Sequence, residues 1–348
     1  MIAPRRILVI QLRRLGDVVL TTALLEDLRR HAPEARVDFL VGSAAAPLLE
    51  HHPLIDDCIV YDVDHPIRTA MGIRRRSYDW IVDVQSSPRT AQLVLISRAP
   101  VRVGWRVRGW GWVYSHALPR KGRAPEWVVR ERQRLLALVG VTPSSPPPQP
   151  RLVLTPDERE RAERELSAWG APGDAPRAAM LLSAGELSKE WLIASFATLA
   201  AQLAAEGVTP VLFQGPGDDA RIAALRSALA ATGGTPGQAV PLVVAPRLDV
   251  RRFLAALVSC DVLVSGDTGP VHMAAAVGVP TVTIFGPTSP VAWSPGLATT
   301  LVVRDERVPC LGCRHDVCPI GHDCMHGVTP EMVMQRVRAL LQHAARRT

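Results

Sequence analysis

Short apolar runs alternate with amphipathic stretches along most of this chain. In the N-terminal half, buried strands are predicted at Arg6–Gln11, Val37–Val41, Cys58–Tyr61, Trp80–Val84 and Val101–Gly104. Between them apolar residues recur every three or four positions, as in Val18–Arg30, which predicts helices. Strands that alternate with helices form parallel sheets, so this half predicts consecutive βαβ units.

The same alternation returns after residues 142–150, TPSSPPPQP, a stretch too rich in Pro and Ser for helix or interior strand. Strands are predicted at Ala179–Leu182, Pro210–Phe213, Leu242–Val244 and Val262–Ser265, and helices at Trp191–Glu206, Asp218–Ala231, Val250–Ser259 and Pro330–Ala345. A length of 348 residues also favours two domains, with the linker as their boundary. Ligands of such sheets bind at the carboxyl ends of the strands, so the cleft between the domains is the expected site.

Composition narrows the function classes. No apolar run approaches the roughly 18 residues of a membrane-spanning helix, and the first 17 residues predict a strand and turn rather than a secretion signal. We therefore expect a cytoplasmic protein. The net charge of +7 is compatible with nucleic acid, an anionic membrane surface or an acidic substrate, but aromatic residues make up only 5% and no basic helix carries interleaved aromatics. Nucleic-acid binding is therefore not expected.

The richest motif is residues 266–293, GDTGPVHMAAAVGVPTVTIFGPTSPVAW, which predicts a helix start directly after a buried strand. Asp267 and Thr268 can accept hydrogen bonds from the first free N–H groups of that helix. Gly269 leaves room for a ligand against the backbone, so the positive end of the helix would face a phosphate. A plain helix cap is the alternative interpretation.

A second candidate lies at residues 11–17, QLRRLGD, where the first strand ends. Asp17 could accept the proton of an attacking hydroxyl, and Arg13 or Arg14 could hold an acidic acceptor. The competing interpretation is an Asp that the helix dipole favours in a first turn.

Two further loops also follow predicted strands. In residues 182–191, LSAGELSKEW, Ser183 could offer a hydroxyl to a phosphate and Lys189 a positive charge, although a solvated lysine is the commoner outcome. In residues 213–219, FQGPGDD, Asp218 and Asp219 either bind ribose hydroxyls or cap the next helix.

Four cysteines, Cys310, Cys313, Cys318 and Cys324, lie close together in the C-terminal part. In a cytoplasmic protein such a cluster suggests zinc rather than disulfides, but the spacing is not that of paired CxxC hooks. A structural zinc site and a set of reduced, packed thiols both remain open.

Taken together, the opening RILVIQLRRLGDVVLTTALLEDLRR, the two strand-end loops, the GDTGPVHM motif and the tail CMHGVTPEMV resemble glycosyltransferase family 9, the heptosyltransferases of the lipopolysaccharide inner core. The resemblance spans nearly the whole chain. It implies an α/β fold of the GT-B type, two Rossmann-like domains whose parallel sheets face a central cleft. Residues 1–150 would bind the acceptor, residues 151–330 would bind the nucleotide-sugar, and residues 331–348 would form a helix that packs back on the first domain.

The resemblance also implies roles for individual residues. Asp17 matches the catalytic base, and Lys189 matches the lysine that contacts the donor diphosphate. Other implied donor contacts are Ser183, Asp218, Asp219, Asp267, Thr268, Gly269 and His272. By residue type rather than by the resemblance, Arg13, Arg14, Arg74 and Arg89 are candidate contacts for Kdo or phosphate groups of the acceptor, and a solvated surface is the alternative for them.

The implied reaction is an inverting transfer of heptose from ADP-L-glycero-D-manno-heptose to an inner-core sugar, with no cofactor or metal in catalysis. Implied partners are the nucleotide-sugar and a glycolipid or saccharide acceptor, with peripheral contact at the inner leaflet of the inner membrane as a further expectation. Two alternatives remain: a family member with another donor or acceptor, for another surface glycan or a secondary metabolite, and a sugar-nucleotide-binding protein without turnover.

Overall fold

The computed structural model describes residues 3–120, 125–231 and 240–345. The chain divides into two compact units, Met1–Val153 and Leu154–Thr348, and each is described by itself.

The described part of the first unit contains one parallel six-stranded sheet in the order β3-β2-β1-β4-β5-β6. Its strands are β1 (Arg6–Ile10), β2 (Arg36–Gly42), β3 (Asp57–Tyr61), β4 (Trp80–Asp83), β5 (Val101–Arg106) and β6 (His116–Pro119). Its helices are α1 (Leu15–Thr22), α2 (Leu24–His31), α3 (Pro66–Arg75), α4 (Pro88–Ser97) and α5 (Val128–Ala137). Burial of the apolar runs on both faces is what a parallel sheet requires.

Two apolar layers cover this sheet. Leu24, Leu28 and Leu135 from α2 and α5 pack on one face. Ala70 and Ile73 from α3 pack on the other face, together with side chains of α4. The predicted single helix at Val18–Arg30 is broken at Ala23, where the preceding Thr21 and Thr22 hydroxyls donate to backbone carbonyls of α1.

The described part of the second unit repeats the plan with the order β12-β11-β10-β7-β8-β9. Its strands are β7 (Arg177–Leu181), β8 (Thr209–Phe213), β9 (Val243–Val244), β10 (Val262–Gly266), β11 (Thr281–Ile284) and β12 (Thr300–Val303). Its helices are α6 (Pro156–Ala168), α7 (Ile193–Ala205), α8 (Asp219–Ala231), α9 (Val250–Val258), α10 (Gly269–Ala276), α11 (Pro290–Trp293), α12 (Asp323–His326) and α13 (Pro330–Ala345).

The last helix, α13, packs into the core of the second unit. Val333, Met334 and Val337 are buried in the same core as Phe196 of α7 and Val282 of β11. The apolar face of α13 is thus used within its own unit, because α7 and the adjacent strands leave an apolar surface for it to cover.

Both sheets have the same switch point. In each, the first and fourth strands of the unit are neighbours, β1 with β4 and β7 with β10, and chain connections leave them in opposite directions. Ligands of doubly wound sheets bind beyond the carboxyl ends of these two strands. The loops after β1, β4, β7 and β10 are therefore where the fold places a site.

Candidate functional site

The loop after β7 carries Lys189, at the end of a 3₁₀ turn formed by Leu187–Lys189. Its Nζ lies 3.0 Å from Oε2 of Glu186 and 3.8 Å from Oδ2 of Asp267, which follows β10. The structure thus brings the predicted lysine and the predicted aspartate together across the switch point. Both side chains are largely buried, which strengthens the attraction between the Lys189 ammonium and the Asp267 carboxylate.

Gly266 explains how the two loops come so close. A Cβ at this position would lie 3.0 Å from the Lys189 carbonyl oxygen and 3.2 Å from the Ala184 Cβ. A side chain here would press against the loop after β7, which would have to yield by a few tenths of an ångström. A glycine at the end of β10 thus favours the close approach of the two loops.

The predicted cap at the start of α10 is not formed. Thr268 is the N-cap residue, yet no side chain caps this helix, and the Asp267 carboxylate instead accepts a 2.7 Å hydrogen bond from the Thr288 hydroxyl. The Thr268 hydroxyl lies 3.3 Å from that of Ser265. Pro270 has no N–H and the Val271 N–H donates to the Thr268 carbonyl at 3.2 Å, so the helix start at Gly269 offers a phosphate chiefly its positive dipole end and an approach without a side chain.

Thr288 was not among the predicted site residues. It comes from the loop after β11, and its hydrogen bond fixes the Asp267 carboxylate next to Lys189. The sequence signal for Thr288 was its position in the segment FGPTSP, just after the apolar run that forms β11. His272, which was predicted, is buried on α10, and its ring centroid is 6.5 Å from that of Trp293.

The two neighbouring acids after β8 have different surroundings. Asp218 is buried, and its Oδ2 accepts hydrogen bonds from the Gly215 N–H at 2.7 Å and the Ser183 hydroxyl at 3.2 Å. Asp219 has a side chain that is 76% exposed and pairs with Arg247. Asp218 therefore ties the loops after β7 and β8 together, and Asp219 lies at the surface at the start of α8.

In the first unit, Asp17 lies in the first turn of α1, next to the switch point. Arg132, buried on α5, donates to the Asp17 carboxylate, to the Asp17 carbonyl at 2.8 Å and to the Thr21 hydroxyl at 2.9 Å. Burial lowers the pKa of the Arg132 guanidinium, and the Asp17 charge acts against that shift. Arg132 was not predicted as a site residue, although an arginine on the apolar stripe of a helix signals a buried partner.

The loop between β1 and α1 is held by Gln85, which follows β4. Its Oε1 accepts hydrogen bonds from the backbone N–H groups of Leu12 at 2.9 Å and Arg13 at 3.1 Å. The Arg13 and Arg14 side chains are exposed at this edge. The loop after β4 thus holds the backbone of the loop after β1, which leads to Asp17.

The predicted acceptor arginines separate into two groups. Arg89 begins α4 near the carboxyl end of the sheet, and its guanidinium lies 5.8 Å from the ring centroid of Tyr61. Arg74 lies at the other end, in the last turn of α3, close to where Arg76 pairs with Asp57 at the start of β3. The structure therefore does not bring Arg74 to the end of the sheet where Asp17 lies. Helix α3 runs antiparallel to the strands, and Arg74 is near its C-terminus.

Asp83 is a buried carboxyl group at the end of β4. It accepts hydrogen bonds from the Tyr114 hydroxyl and the Ser86 N–H, both at 2.7 Å. Burial raises its pKa to about 6 against the opposing effect of these donors. Asp83 thus anchors the loop after β4, which carries Gln85.

The four clustered cysteines are reduced. Cys324 lies in the core, and burial together with the nearby Cys310, Cys318 and Cys313 raises its thiol pKa. The Cys318 sulfur accepts a 3.2 Å hydrogen bond from the His322 N–H. Within the described ranges no three His, Cys, Asp or Glu side chains form a group able to hold a metal ion, so the zinc interpretation is not supported. The local structure is that of packed thiols in a loop with several turns.

No helix in the described part of the chain combines the length and the apolar character needed to cross a bilayer.

Comparison with known proteins identifies the class. The model of glycosyltransferase family 9 (heptosyltransferase) matches residues 67–323. Similar proteins include lipopolysaccharide heptosyltransferase 2 of Escherichia coli K12, 26% identical, and of Salmonella typhimurium, 24% identical, each aligned over 97% of this chain and 98% of the relative.

Two solved structures share the fold. The glycosyl transferase family 9 protein from Veillonella parvula superimposes with a TM-score of 0.82 at 22% identity over 97% of both chains. E. coli ADP-heptose lps heptosyltransferase II superimposes with a TM-score of 0.79 at 23% identity over 98% of this chain and 99% of that one.

The fold and the sequence match therefore define a glycosyltransferase with the two α/β units of the GT-B class. The chain belongs to glycosyltransferase family 9.

Proposed function

We propose that this enzyme transfers heptose from ADP-L-glycero-D-manno-heptose to a sugar of the lipopolysaccharide inner core, with inversion at the anomeric carbon. The family and the names of the full-length relatives support this choice of donor and acceptor. In this proposal the first unit binds the acceptor and the second binds the nucleotide-sugar.

The observation that carries the proposal is the arrangement of Lys189, Asp267 and the start of α10 at the second switch point. Lys189 and the uncapped helix start supply positive charge where a diphosphate would bind. Asp267, fixed by Thr288, orients the lysine ammonium. Negative charge grows on the leaving diphosphate during transfer, so these groups stabilise the transition state more than the ground state.

Asp17 would act as the general base of the same reaction. The acceptor hydroxyl oxygen forms a bond to the anomeric carbon, the bond from that carbon to the diphosphate oxygen breaks, and the hydroxyl proton passes to the Asp17 carboxylate. ADP leaves with the electron pair. A single displacement of this kind inverts the anomeric configuration, and no step in it is assigned to a metal ion.

Arg132 would hold the Asp17 side chain in position for this role. Its hydrogen bonds to the carboxylate and to the Asp17 carbonyl fix the rotamer of the side chain. One carboxylate oxygen faces Arg132, which leaves the other for the acceptor hydroxyl. Arg13, Arg14 and Arg89 at the same edge would contact acidic groups of the acceptor.

A lipopolysaccharide precursor is a membrane lipid, so the proposed reaction takes place in the cytoplasm at the inner leaflet of the inner membrane. The protein would reach this acceptor as a peripheral protein.

The test is to incubate the purified protein with ADP-heptose and either lipid A–Kdo or its heptosylated form, and to detect the products by mass. UDP- and GDP-sugars serve as competing donors, and the Asp17→Asn variant controls for contaminating activity. The proposal expects one acceptor to gain one heptose from ADP-heptose only. Transfer from another nucleotide-sugar, or no transfer to either acceptor, would overturn it.

A further inference from the structure

The face of the first sheet covered by α3 and α4 carries an unusual set of exposed apolar side chains. In the described part of the first unit, all six exposed large hydrophobic residues lie between residues 60 and 112: Val60, Val63, Ile67, Met71, Leu95 and Trp112. Ile67 is 75% exposed and Trp112 is 68% exposed. None comes from α1, α2 or α5 on the opposite face.

Five of these residues, Val63, Ile67, Met71, Leu95 and Trp112, lie on or next to elements of this face, whereas Val60 points to the other side of β3, the side of Cys58. α3 packs beside α4, and α4 packs beside the 3₁₀ turn Gly111–Val113 that carries Trp112. Ile67 and Met71 are four residues apart on α3 and share a side of that helix. We call this surface the α3–α4 face.

The segment of the chain that carries these apolar residues is also rich in arginine. Residues 60–112 contain nine arginines and four aspartates, an excess of five positive charges in a chain whose net charge is +7. Six of the arginines are exposed and have no acidic partner among the described residues: Arg68, Arg75, Arg89, Arg98, Arg106 and Arg108. The Arg89 guanidinium lies over the Tyr61 ring instead. Asp62 and Asp64 precede α3, and the Asp62 carboxylate is hydrogen-bonded by the Asp64 N–H and by the His65 N–H and ring.

Exposed apolar side chains on elements that also carry exposed arginines fit one kind of partner, an anionic lipid surface. Aliphatic side chains and tryptophan enter the region between headgroups and acyl chains, and arginines bind lipid phosphates. A second copy of this chain would bring the same positive charges against each other. Arg106 ends β5 and Trp112 follows it, so docking would bring the carboxyl end of the sheet, where the acceptor is proposed to bind, to the headgroups.

We propose that the α3–α4 face docks this enzyme on an anionic lipid bilayer. The reason for docking rests on the proposed function, because a lipid acceptor lies in that bilayer, but the surface itself is defined by residues outside the proposed catalytic groups.

The test is co-sedimentation with vesicles that contain no acceptor, made either of phosphatidylethanolamine with phosphatidylglycerol or of phosphatidylcholine alone. The double variant Ile67→Ser/Trp112→Ser is compared with Val317→Ser/Ile320→Ser, which removes two equally exposed apolar side chains of the second unit, 77% and 56% exposed. Arg68→Gln/Arg75→Gln tests the charge. We expect the wild type and the Val317/Ile320 variant to bind the anionic vesicles, and the other two variants to bind roughly tenfold more weakly.

Circular dichroism melting and transfer to a lipid-free acceptor verify that each variant is folded and active. Docking is contradicted if the wild type stays in the supernatant, or if Ile67→Ser/Trp112→Ser sediments like the wild type. It is also contradicted if sedimentation velocity shows a wild-type dimer that this variant abolishes, since the face would then bind a second copy. Vesicle binding without any transfer would instead refute the proposed function and leave the docking surface intact.

Discussion

The guanidinium of Arg132 on α5 is hydrogen-bonded to the carboxylate of Asp17 on α1, and a second bond reaches the Asp17 carbonyl at 2.8 Å. The two residues are 115 positions apart in the chain. The ion pair therefore fixes α1 to α5 and, through the first turn of α1, sets the orientation of the carboxylate that we propose as the base.

Replacing Arg132 should lower the stability of the protein. Arg132→Leu removes hydrogen bonds to a charged group and leaves the Asp17 carboxylate without its partner, so we expect the free energy of unfolding to fall by about 2–3 kcal/mol. Urea unfolding measures this, with the exposed Arg130→Leu on the same helix as the control. Equal losses in the two variants would show that the ion pair contributes nothing specific.

Lys189→Gln should weaken ADP binding roughly tenfold or more, because a charge-assisted hydrogen bond to the diphosphate is lost. Isothermal titration measures the dissociation constant. Glu186→Gln is the matched control, since it removes the carboxylate 3.0 Å from Lys189 and should leave ADP affinity unchanged or increased. An unaltered dissociation constant in Lys189→Gln would refute the assignment of this lysine to the diphosphate.

The adjacent acids after β8 offer a direct comparison. Asp218→Ala leaves the Gly215 N–H and the Ser183 hydroxyl without their acceptor, which should lower the free energy of unfolding by about 2 kcal/mol. Asp219→Ala removes only an exposed ion pair and should change it by less than about 0.5 kcal/mol. Thermal or urea unfolding of the two variants decides between them, and similar values would contradict the assigned roles.

Stability in acid should depend on Glu158. Its hydrogen bonds with Arg251 lower its pKa from 4.5 to about 2, with help from the Thr155 N–H. Because the folded-state pKa is depressed, the stabilisation is fully present above about pH 5 and is lost as the pH falls towards 2. Glu158→Gln should thus be less stable than the wild type at pH 7 and nearly equal to it at pH 2.

Urea midpoints at several pH values test this, and Glu160→Gln, an exposed neighbour on α6, should match the wild type throughout. A constant difference between Glu158→Gln and the wild type across this range would mean that the carboxylate charge is not responsible.

Much of the fold follows from the sequence because buried parallel strands are continuous apolar runs. Predicted and observed strands agree within one or two residues at β1, β4 and β8, and the GT-B fold is confirmed. The strands β6 and β12 were not predicted, since His116–Pro119 and Thr300–Val303 are four-residue strands at sheet edges and only partly buried. Short edge strands lack the apolar run on which the prediction depends.

The sequence predicts which loops form the candidate site, because each of these loops follows a recognisable strand. The partners that orient its side chains come from distant elements, Arg132 for Asp17 and Thr288 for Asp267, and only the folded chain shows them. For Arg74 the residue type was a misleading guide. An arginine suits an acidic acceptor, but the last turn of α3 places this one at the amino-terminal end of the strands, away from Asp17. Helix length and direction, rather than residue type, decide that outcome.

The central claim is that Asp17 takes the proton from the acceptor while Lys189 and the start of α10 hold the diphosphate. The most direct measurement determines turnover and the ADP-heptose dissociation constant on the same preparation of Asp17→Asn, an isosteric change that keeps a hydrogen-bond acceptor for Arg132. We expect a turnover roughly 10²- to 10⁴-fold below that of the wild type, with a dissociation constant changed by less than about twofold. Turnover within a few-fold of the wild type, or a loss of donor affinity that accounts for the whole defect, would contradict it.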